Sequence, residues 1–164
     1  MEQYIYQGNI YSIVNCTLED IPSHIERVLS YWESTNVDLD KQRTLLEEAV
    51  INQTAFKLVD ENNNTMAVIY YTKMTYDSGQ SNLLWFKDKR MFAVLCYFLR
   101  LGVNIHYIYF MPHSKDYIPF EFIVQDRSIR LFHSHNQPLK IDLYSRKSQM
   151  LYEDHFLARN IQVI

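Results

Sequence analysis

The chain has 164 residues, 48% of them hydrophobic, and a formal net charge of −3. This length suits one domain, and a folded domain of this size buries about 70% of its unfolded surface, enough to be stable without disulfides. The small net charge and scattered basic residues argue against a duplex nucleic-acid-binding protein. No run of 18 uncharged apolar residues occurs, and no basic flank precedes an apolar stretch at the N-terminus, so we expect a soluble protein without a membrane segment.

The first elements read as one strand and one helix. Aromatic and β-branched residues over 3–15 predict an edge strand with a break at Gly8 and Asn9. Apolar residues at helical spacing then predict an amphipathic helix within residues 17–33. Ser23 and Glu26 match a capping box at the start of this helix.

A second helix and a hairpin follow. Helical spacing predicts a helix from Asp38 to Asn52, with Asp40 as its cap. Residues 54–60 and 66–74 flank an asparagine-rich turn and predict a hairpin. Residues 76–82 are polar and predict a loop.

The middle of the chain predicts a strand, a helix and another strand. The short apolar run 83–86 is the first strand. Residues 89–101 are apolar on nearly all sides and predict a buried helix, capped by Asp88 and ended by Gly102 in a left-handed turn. Residues 103–112 then predict a central strand.

The C-terminal part is less regular. Residues 116–126 fit a helix or a strand equally well, whereas 129–135 and 139–145 predict a closing hairpin. We expect one domain over residues 1–145. Residues 146–164 are expected to form a C-terminal extension that packs on this domain or on a partner.

This order of elements resembles the GNAT superfamily of N-acyltransferases over roughly residues 3–145. The resemblance implies an α+β fold with a mixed, mostly antiparallel twisted sheet, flanking helices and one central βαβ crossover. More narrowly, the stretches "NLLWF", "KDKRMFAVLCYFLRLG", "HYIYFMPHS" and "IRLFHSHNQPLKIDLY" are similar to the GNAT-like internal virion proteins of short-tailed bacteriophages.

The predicted turn at residues 86–92 bears on whether the resemblance extends to cofactor binding. In the acyltransferases this turn is rich in glycine, so that backbone N–H groups can close on the cofactor diphosphate at a helix N-terminus. Here the turn has no glycine, and Asp88 places a negative charge where phosphate should lie. If acyl-CoA binds, Lys87, Lys89 and Arg90 are the candidate cofactor-binding residues.

Candidates for a catalytic acid or base are weak. Tyr117, Tyr144 and Tyr152 lie in the part of the chain where the family places a tyrosine acid, but with 13 tyrosines present we prefer aromatic packing with surface hydroxyls. His106 lies in the predicted central strand and His113 just after its end, and packing is again the preferred role for both.

A metal site and a reactive thiol are also unfavoured. His133 and His135 are spaced to share one face of a strand, but a third ligand such as His155 or Asp142 would have to converge on them. Cys96 lies on an apolar helical face, where we expect a buried and inert thiol. Because Cys16 and Cys96 suggest no disulfide framework, we expect a reducing compartment.

Two functions remain. The main prediction is a non-catalytic GNAT-like structural or interaction protein without a cofactor, associated with a bacteriophage virion. Its partners would be other virion proteins or further copies of itself, in the host cytoplasm or the particle. The alternative is an active N-acyltransferase that uses acetyl-CoA or another acyl-CoA to modify an amine on a protein or a small molecule.

Overall fold

The computed structural model describes residues 2–34, 37–110, 139–157 and 161–164. The elements in chain order are β1 (Glu2–Tyr6), β2 (Asn9–Asn15), a 3-10 turn (Leu18–Asp20), α1 (Ile21–Ser34), α2 (Leu39–Ile51), β3 (Ala55–Val59), β4 (Thr65–Thr75), β5 (Ser78–Phe86), α3 (Lys89–Leu101), β6 (Tyr107–Phe110), β7 (Leu139–Asp142), α4 (Arg146–Tyr152), a π-helical turn (Glu153–Leu157) and β8 (Gln162–Val163).

The described strands form one sheet in the order β7-β6-β5-β4-β3-β2-β1-β8. Every recorded neighbour pair is antiparallel except β5 and β6, which run parallel and are joined through α3. A parallel connection needs such a crossover, because a tight turn reverses the chain direction. The predicted α+β class, with a mostly antiparallel sheet and one βαβ crossover, is confirmed.

Helices cover both faces of the sheet. Val68 and Tyr70 of β4 pack in a core with α1 and α2, whereas the alternate residues Ala67 and Ile69 pack in a core with α3. This alternation is the period of a strand buried on both sides. Both faces of β4 are therefore covered, which fixes its register against β3 and β5.

The two helix caps lie a few residues earlier than the sequence predicts. The capping box is formed by Thr17 and Asp20, since the Thr17 N–H donates to the Asp20 carboxylate at 2.8 Å. For α2 the cap is Asp38, which accepts from the backbone N–H of Asp40. The predicted cap at Asp40 and the predicted box at Ser23 are wrong, because each of these residues already lies inside the first helical turn.

The N-terminal segment forms a hairpin, β1 and β2, with Gln7 and Gly8 at positive φ. The prediction of one edge strand over residues 3–15 is wrong in two respects. The segment folds back on itself, and β1 is not at the edge, because β8 pairs antiparallel with it.

Residues after 145 share the core of the sheet. Leu151, Tyr152 and Ile161 are buried in the same cluster as α3. Their burial joins the chain's C-terminal residues to the face of the sheet that α3 covers. The division of the chain between residues 145 and 146 stays a prediction.

Helix α3 is capped by Asp88, as predicted, but its end differs from the prediction. Gly102 adopts right-handed helical angles, and the left-handed residue is Asn104, at φ 57°. A Cβ at Gly102 would come within 2.6 Å of the Phe98 ring, so this position requires glycine for close packing rather than for a positive φ.

The predicted hairpin at residues 54–74 is confirmed as β3 and β4, with Asn63 of its turn at positive φ. Strand β5 is longer than predicted, because residues 78–82, expected in a loop, pair with β4. No helix in the described part of the chain is long and apolar enough to span a membrane. The predictions for residues 116–126 and 129–135 fall outside the described residues.

Candidate functional site

The parallel strands β5 and β6 pair only over a short length. Ser78, Gly79 and Gln80 pair with the three residues from Tyr107 to Tyr109. The next residues, Ser81 and Phe110, have no such pairing, although β5 continues to Phe86. Among the described residues, the β6-facing edge of β5 is therefore without a partner strand from Ser81 onward. The recorded pairing of the two parallel strands thus ends at Gln80 and Tyr109, and the β6-facing edge of β5 beyond this point, in the middle of the sheet, is called the gap below.

A β-bulge lies at the start of this separation. Tyr70 of β4 pairs with Leu83, but the next residue, Tyr71, pairs with Ser81, so Asn82 is an extra residue in β5. The side chain of Asn82 donates to the Thr72 hydroxyl at 2.8 Å, which holds the bulge in place. Bulges re-aim backbone groups and are common beside active sites.

Ser81 supplies an unpaired buried hydroxyl at the same point. The residue is 3% exposed, and its Oγ has no hydrogen-bond partner within the structure described. A buried hydroxyl without a partner costs about 1–3 kcal/mol, so a site that retains one is a candidate for binding a polar ligand atom. The gap, the bulge and this hydroxyl coincide within two residues of β5.

The predicted cofactor-binding residues lie at the far end of β5, where it meets α3. Lys87 and Lys89 are exposed, while Asp88 accepts the Met91 N–H at 3.0 Å as the cap of α3. Arg90 lies 3.4 Å from the Asp88 carboxylate. The negative charge of Asp88 is thus partly used within the helix start and partly balanced by Arg90.

Arg90 is held more firmly than the two lysines. Its guanidinium stacks over the Tyr6 ring at 4.5 Å, and its Nε is buried without a hydrogen-bond partner among the described residues. Lys87 and Lys89 can therefore move toward a ligand, whereas Arg90 is already committed to its neighbours.

No protein-family model and no curated protein matches the sequence. Solved structures do match. A GNAT-family acetyltransferase from Listeria monocytogenes superposes with a TM-score of 0.51 over 75% of this chain and 88% of its own, at 8% identity. The chain has a GNAT-like fold.

Two further neighbours are more distant in geometry. A GNAT-family acetyltransferase from Staphylococcus aureus matches with a TM-score of 0.49 at 15% identity, over 71% of this chain and 81% of its own. N-acetylglutamate synthase from Neisseria gonorrhoeae, complexed with coenzyme A and N-acetyl-glutamate, matches with a TM-score of 0.48 at 15% identity. The match covers 79% of this chain but only 34% of the synthase, so this chain spans about a third of that protein.

These findings correct the main functional prediction. The Listeria neighbour, which shows the GNAT-like fold, is an acetyltransferase, and this finding is against the predicted non-catalytic, virion-associated protein. The phage part of the resemblance gains no support from them. The wrong prediction depends on the missing glycines of the turn, whereas the gap between β5 and β6 depends on strand register and needs no glycine there.

His106 is placed away from the gap in this GNAT-like fold. It lies just before β6 and not within it, and its Nε2 is 3.0 Å from an Asp142 carboxylate oxygen. Its ring stacks on Tyr107 with a centroid distance of 4.2 Å. The strands separate at their other end, so the structure gives His106 a packing role, as preferred from the sequence.

Two of the three tyrosine candidates are described, and both make packing contacts. Tyr144 is exposed and stacks with Arg100, as expected. Tyr152 is buried, and its hydroxyl donates to the Leu143 carbonyl at 3.0 Å, so the prediction of a surface hydroxyl is wrong for this residue. Tyr117 and His113 lie outside the described residues.

The described residues offer no metal site, because no three His, Cys, Asp or Glu side chains among them converge. His155 is buried and Asp142 is engaged with His106, while His133 and His135 fall outside the described residues. Cys96 is buried, and burial raises the pKa of its thiol, which agrees with the predicted inert role.

Sequence reasoning missed one buried polar cluster between α1 and the sheet. The Nδ1 of His24 lies 2.6 Å from the Tyr70 hydroxyl, and Cys16 is a neighbour of that hydroxyl. Burial lowers the pKa of His24 to about 4 and raises the pKa of Cys16 to about 12. The sequence carries one indication that His24 is buried: it follows Ile21 by three residues and so lies on the apolar face of α1.

Proposed function

We propose that this chain is an N-acyltransferase that moves an acyl group from acyl-CoA to an amine. The observation that carries the proposal is the separation of β5 and β6 immediately after Gln80, with the Asn82 bulge and the unpaired Ser81 hydroxyl at that point. A gap between two parallel strands can accept an extended ligand, because both of its walls carry backbone hydrogen-bonding groups.

The residues present fit acyl-CoA at two places. Along β5, the backbone groups from Ser81 to Phe86 that face β6 have no partner strand among the described residues, and they could pair with the amides of an extended arm as a neighbouring strand would. At the end of the strand, Lys87 and Lys89 offer two mobile positive charges beside the first turn of α3. The N–H groups of a first helical turn have no intrahelical partner and favour anions.

Asp88 reduces this attraction without abolishing it. Its carboxylate accepts the Met91 N–H and lies beside Arg90, so the turn carries three positive charges against one negative. Each charge near an exposed helix end contributes about 0.3–1 kcal/mol. The turn therefore favours a diphosphate more weakly than a glycine-rich cradle would.

Acyl-CoA would supply the acyl group in an activated form, as a thioester. The Ser81 hydroxyl can donate to a carbonyl oxygen that enters the gap, and a donor aimed at a developing negative charge lowers the barrier to acyl transfer. Neither β5 nor β6 carries a carboxylate or a histidine over its described length, so no residue of these strands is assigned the proton of the attacking amine.

The test is binding of acetyl-CoA, followed by turnover. We expect calorimetric titration to give saturable binding, and a panel of primary amines incubated with acetyl-CoA to yield free coenzyme A and an acetylated product. The double variant Lys87→Gln/Lys89→Gln should bind about 3- to 30-fold more weakly, which follows from losing two charges near the helix end. Lys41→Gln, on exposed α2, is the matched control and should bind as the unaltered protein does.

Absence of binding at millimolar acetyl-CoA by folded protein would refute the proposal. Binding that is equally strong in the double variant would refute the assignment of the diphosphate to this turn. The predicted protein partner or homo-oligomer stays a separate prediction, which sedimentation at several protein concentrations can check.

A further inference from the structure

Apart from the gap, a cavity lies on the side of β4 that faces away from β5. It has a volume of about 260 Å³ and is lined by Glu48, Ala49, Asn52, Thr54, Tyr71, Thr72 and Lys73. Because a water molecule occupies about 30 Å³ of the liquid, the cavity has room for roughly nine groups of that size. A ligand with about nine non-hydrogen atoms has the size of a free amino acid, whereas the pocket of a drug-sized ligand is larger than this cavity.

The cavity lies where β4 extends beyond β3: the first residue of β3, Ala55, pairs with Tyr70, whereas β4 continues to Thr75. The last backbone contact is the Tyr71 N–H to the Thr54 carbonyl, at 3.0 Å, and the Thr54 hydroxyl donates to the Tyr71 carbonyl at 2.6 Å. Among the described residues, β4 then continues to Thr75 without a partner on this side. Since strand backbone groups point alternately to either side, the next outward N–H and C=O belong to Lys73.

One wall favours a positive group. It is the last turn of α2, which carries the negative end of the helix dipole, while the carbonyls of Glu48, Ala49 and Val50 in this turn already accept the N–H groups of residues 52–54. Glu48 adds a carboxylate to this wall, and Asn52 adds a side-chain amide. A protonated amine satisfies these acceptors better than a neutral group does.

The opposite wall favours a negative group. Lys73 brings an ammonium group from β4, and its backbone N–H points outward beside it. The structure records no ion pair or side-chain hydrogen bond for either Glu48 or Lys73 within the described residues. Two opposite charges thus line one small cavity without neutralising each other.

We propose that this cavity binds a small zwitterion of amino-acid size, with its ammonium group toward Glu48 and its carboxylate toward Lys73. The cavity lies beside β4 in line with β3, and the gap lies beside β5 in line with β6, so the two are about three strand spacings apart, roughly 14 Å. A ligand of this size cannot extend from the cavity to the gap, so the cavity is a site of its own. The inference goes beyond the acyltransferase proposal and does not depend on it.

The experiment measures binding without any coenzyme. The standard L-amino acids, added one at a time, should include at least one that raises the melting temperature saturably and gives a calorimetric binding curve, because a ligand of the native state stabilises it. Butylamine and butyrate, which carry one charge each, should bind at least about tenfold more weakly than that amino acid.

Variants locate the site. Glu48→Gln and Lys73→Gln should each weaken binding about tenfold, whereas Glu47→Gln and Lys41→Gln, exposed charges outside the cavity, should change it less than about twofold. Melting curves of the free variants establish that they are folded. Failure of every amino acid to bind, equal binding of butylamine, or normal binding by the Glu48 and Lys73 variants would each overturn the inference.

Discussion

The unpaired hydroxyl of Ser81 leads to an unusual prediction about Ser81→Ala. In the free protein this hydroxyl is buried without a hydrogen-bond partner among the described residues, and such a hydroxyl costs about 1–3 kcal/mol of folding free energy. Replacing it with a methyl group should therefore raise the free energy of unfolding by a similar amount. In a chain of this length, each kcal/mol moves the melting temperature by roughly 2–4 °C.

The same substitution should weaken acyl-CoA binding. If the hydroxyl donates to a carbonyl of the ligand, its loss removes a hydrogen bond worth about 0.5–1.5 kcal/mol, or roughly a 2- to 10-fold rise in Kd. Stability and affinity thus change in opposite senses. This combination separates a ligand-directed hydroxyl from one that only packs in the core.

Ser78→Ala is the matched control on the same strand. Ser78 is also buried, but it lies in the paired part of β5, and its hydroxyl is 2.6 Å from the Thr75 hydroxyl. Its loss should lower the free energy of unfolding by about 0.5–1.5 kcal/mol and leave acyl-CoA affinity unchanged. Urea unfolding and calorimetric titration measure both quantities. If both variants lose stability alike and bind acyl-CoA normally, the reasoning about Ser81 is wrong.

Three further predictions test the cores around the site. Burial lowers the pKa of His24 from 6.5 to about 4 in the folded protein. As the pH falls, the His24 imidazole is therefore protonated in the unfolded chain at a higher pH than in the folded protein. The free energy of unfolding should drop by up to about 3 kcal/mol between pH 6.5 and 4, and His24→Gln, followed by urea unfolding at several pH values, should remove that part of the loss. Cys16 and Cys96 are both buried with raised thiol pKa values, so a thiol-reactive dye should label neither until urea unfolds the protein, and rapid labelling of the native state would contradict their burial. Gly79→Ala would place a Cβ 2.6 Å from the Tyr71 ring, so we expect a loss of about 1–3 kcal/mol in urea unfolding, and an unchanged midpoint would show that the ring moves freely.

The sequence predicts the order of elements well, because helices and strands have different hydrophobic periods. It predicts the first and last residues of these helices and strands less well. The predicted caps lie too late in the chain, since Thr17 precedes Ser23 by six residues and Asp38 precedes Asp40 by two. Gly102 was assigned to a left-handed turn from residue type alone, whereas tertiary contact with Phe98 is what requires glycine there.

The site is predicted only in part. The sequence predicts Lys87, Lys89 and Arg90 because a helix start between two apolar runs is visible in it, and their role in cofactor binding stays a prediction. Ser81 was missed because it lies in a polar stretch that resembles a loop. Residues Ser78 to Asn82 become strand only when β4 and β6 are beside them, and no local pattern reports such pairing.

The wrong functional prediction has the same cause. Glycines at a phosphate turn are a local feature, so their absence at residues 86–92 is visible in the sequence and favours a protein without a cofactor. The gap between β5 and β6 is a non-local feature, set by where a parallel register stops. A chain can lose the first feature and keep the second, since under the acyltransferase proposal the turn would stabilise charge at one end of the cofactor and the gap would bind its extended arm. Measuring acyl-CoA affinity in variants of the turn and of Ser81 separately would show how the two features divide the binding free energy.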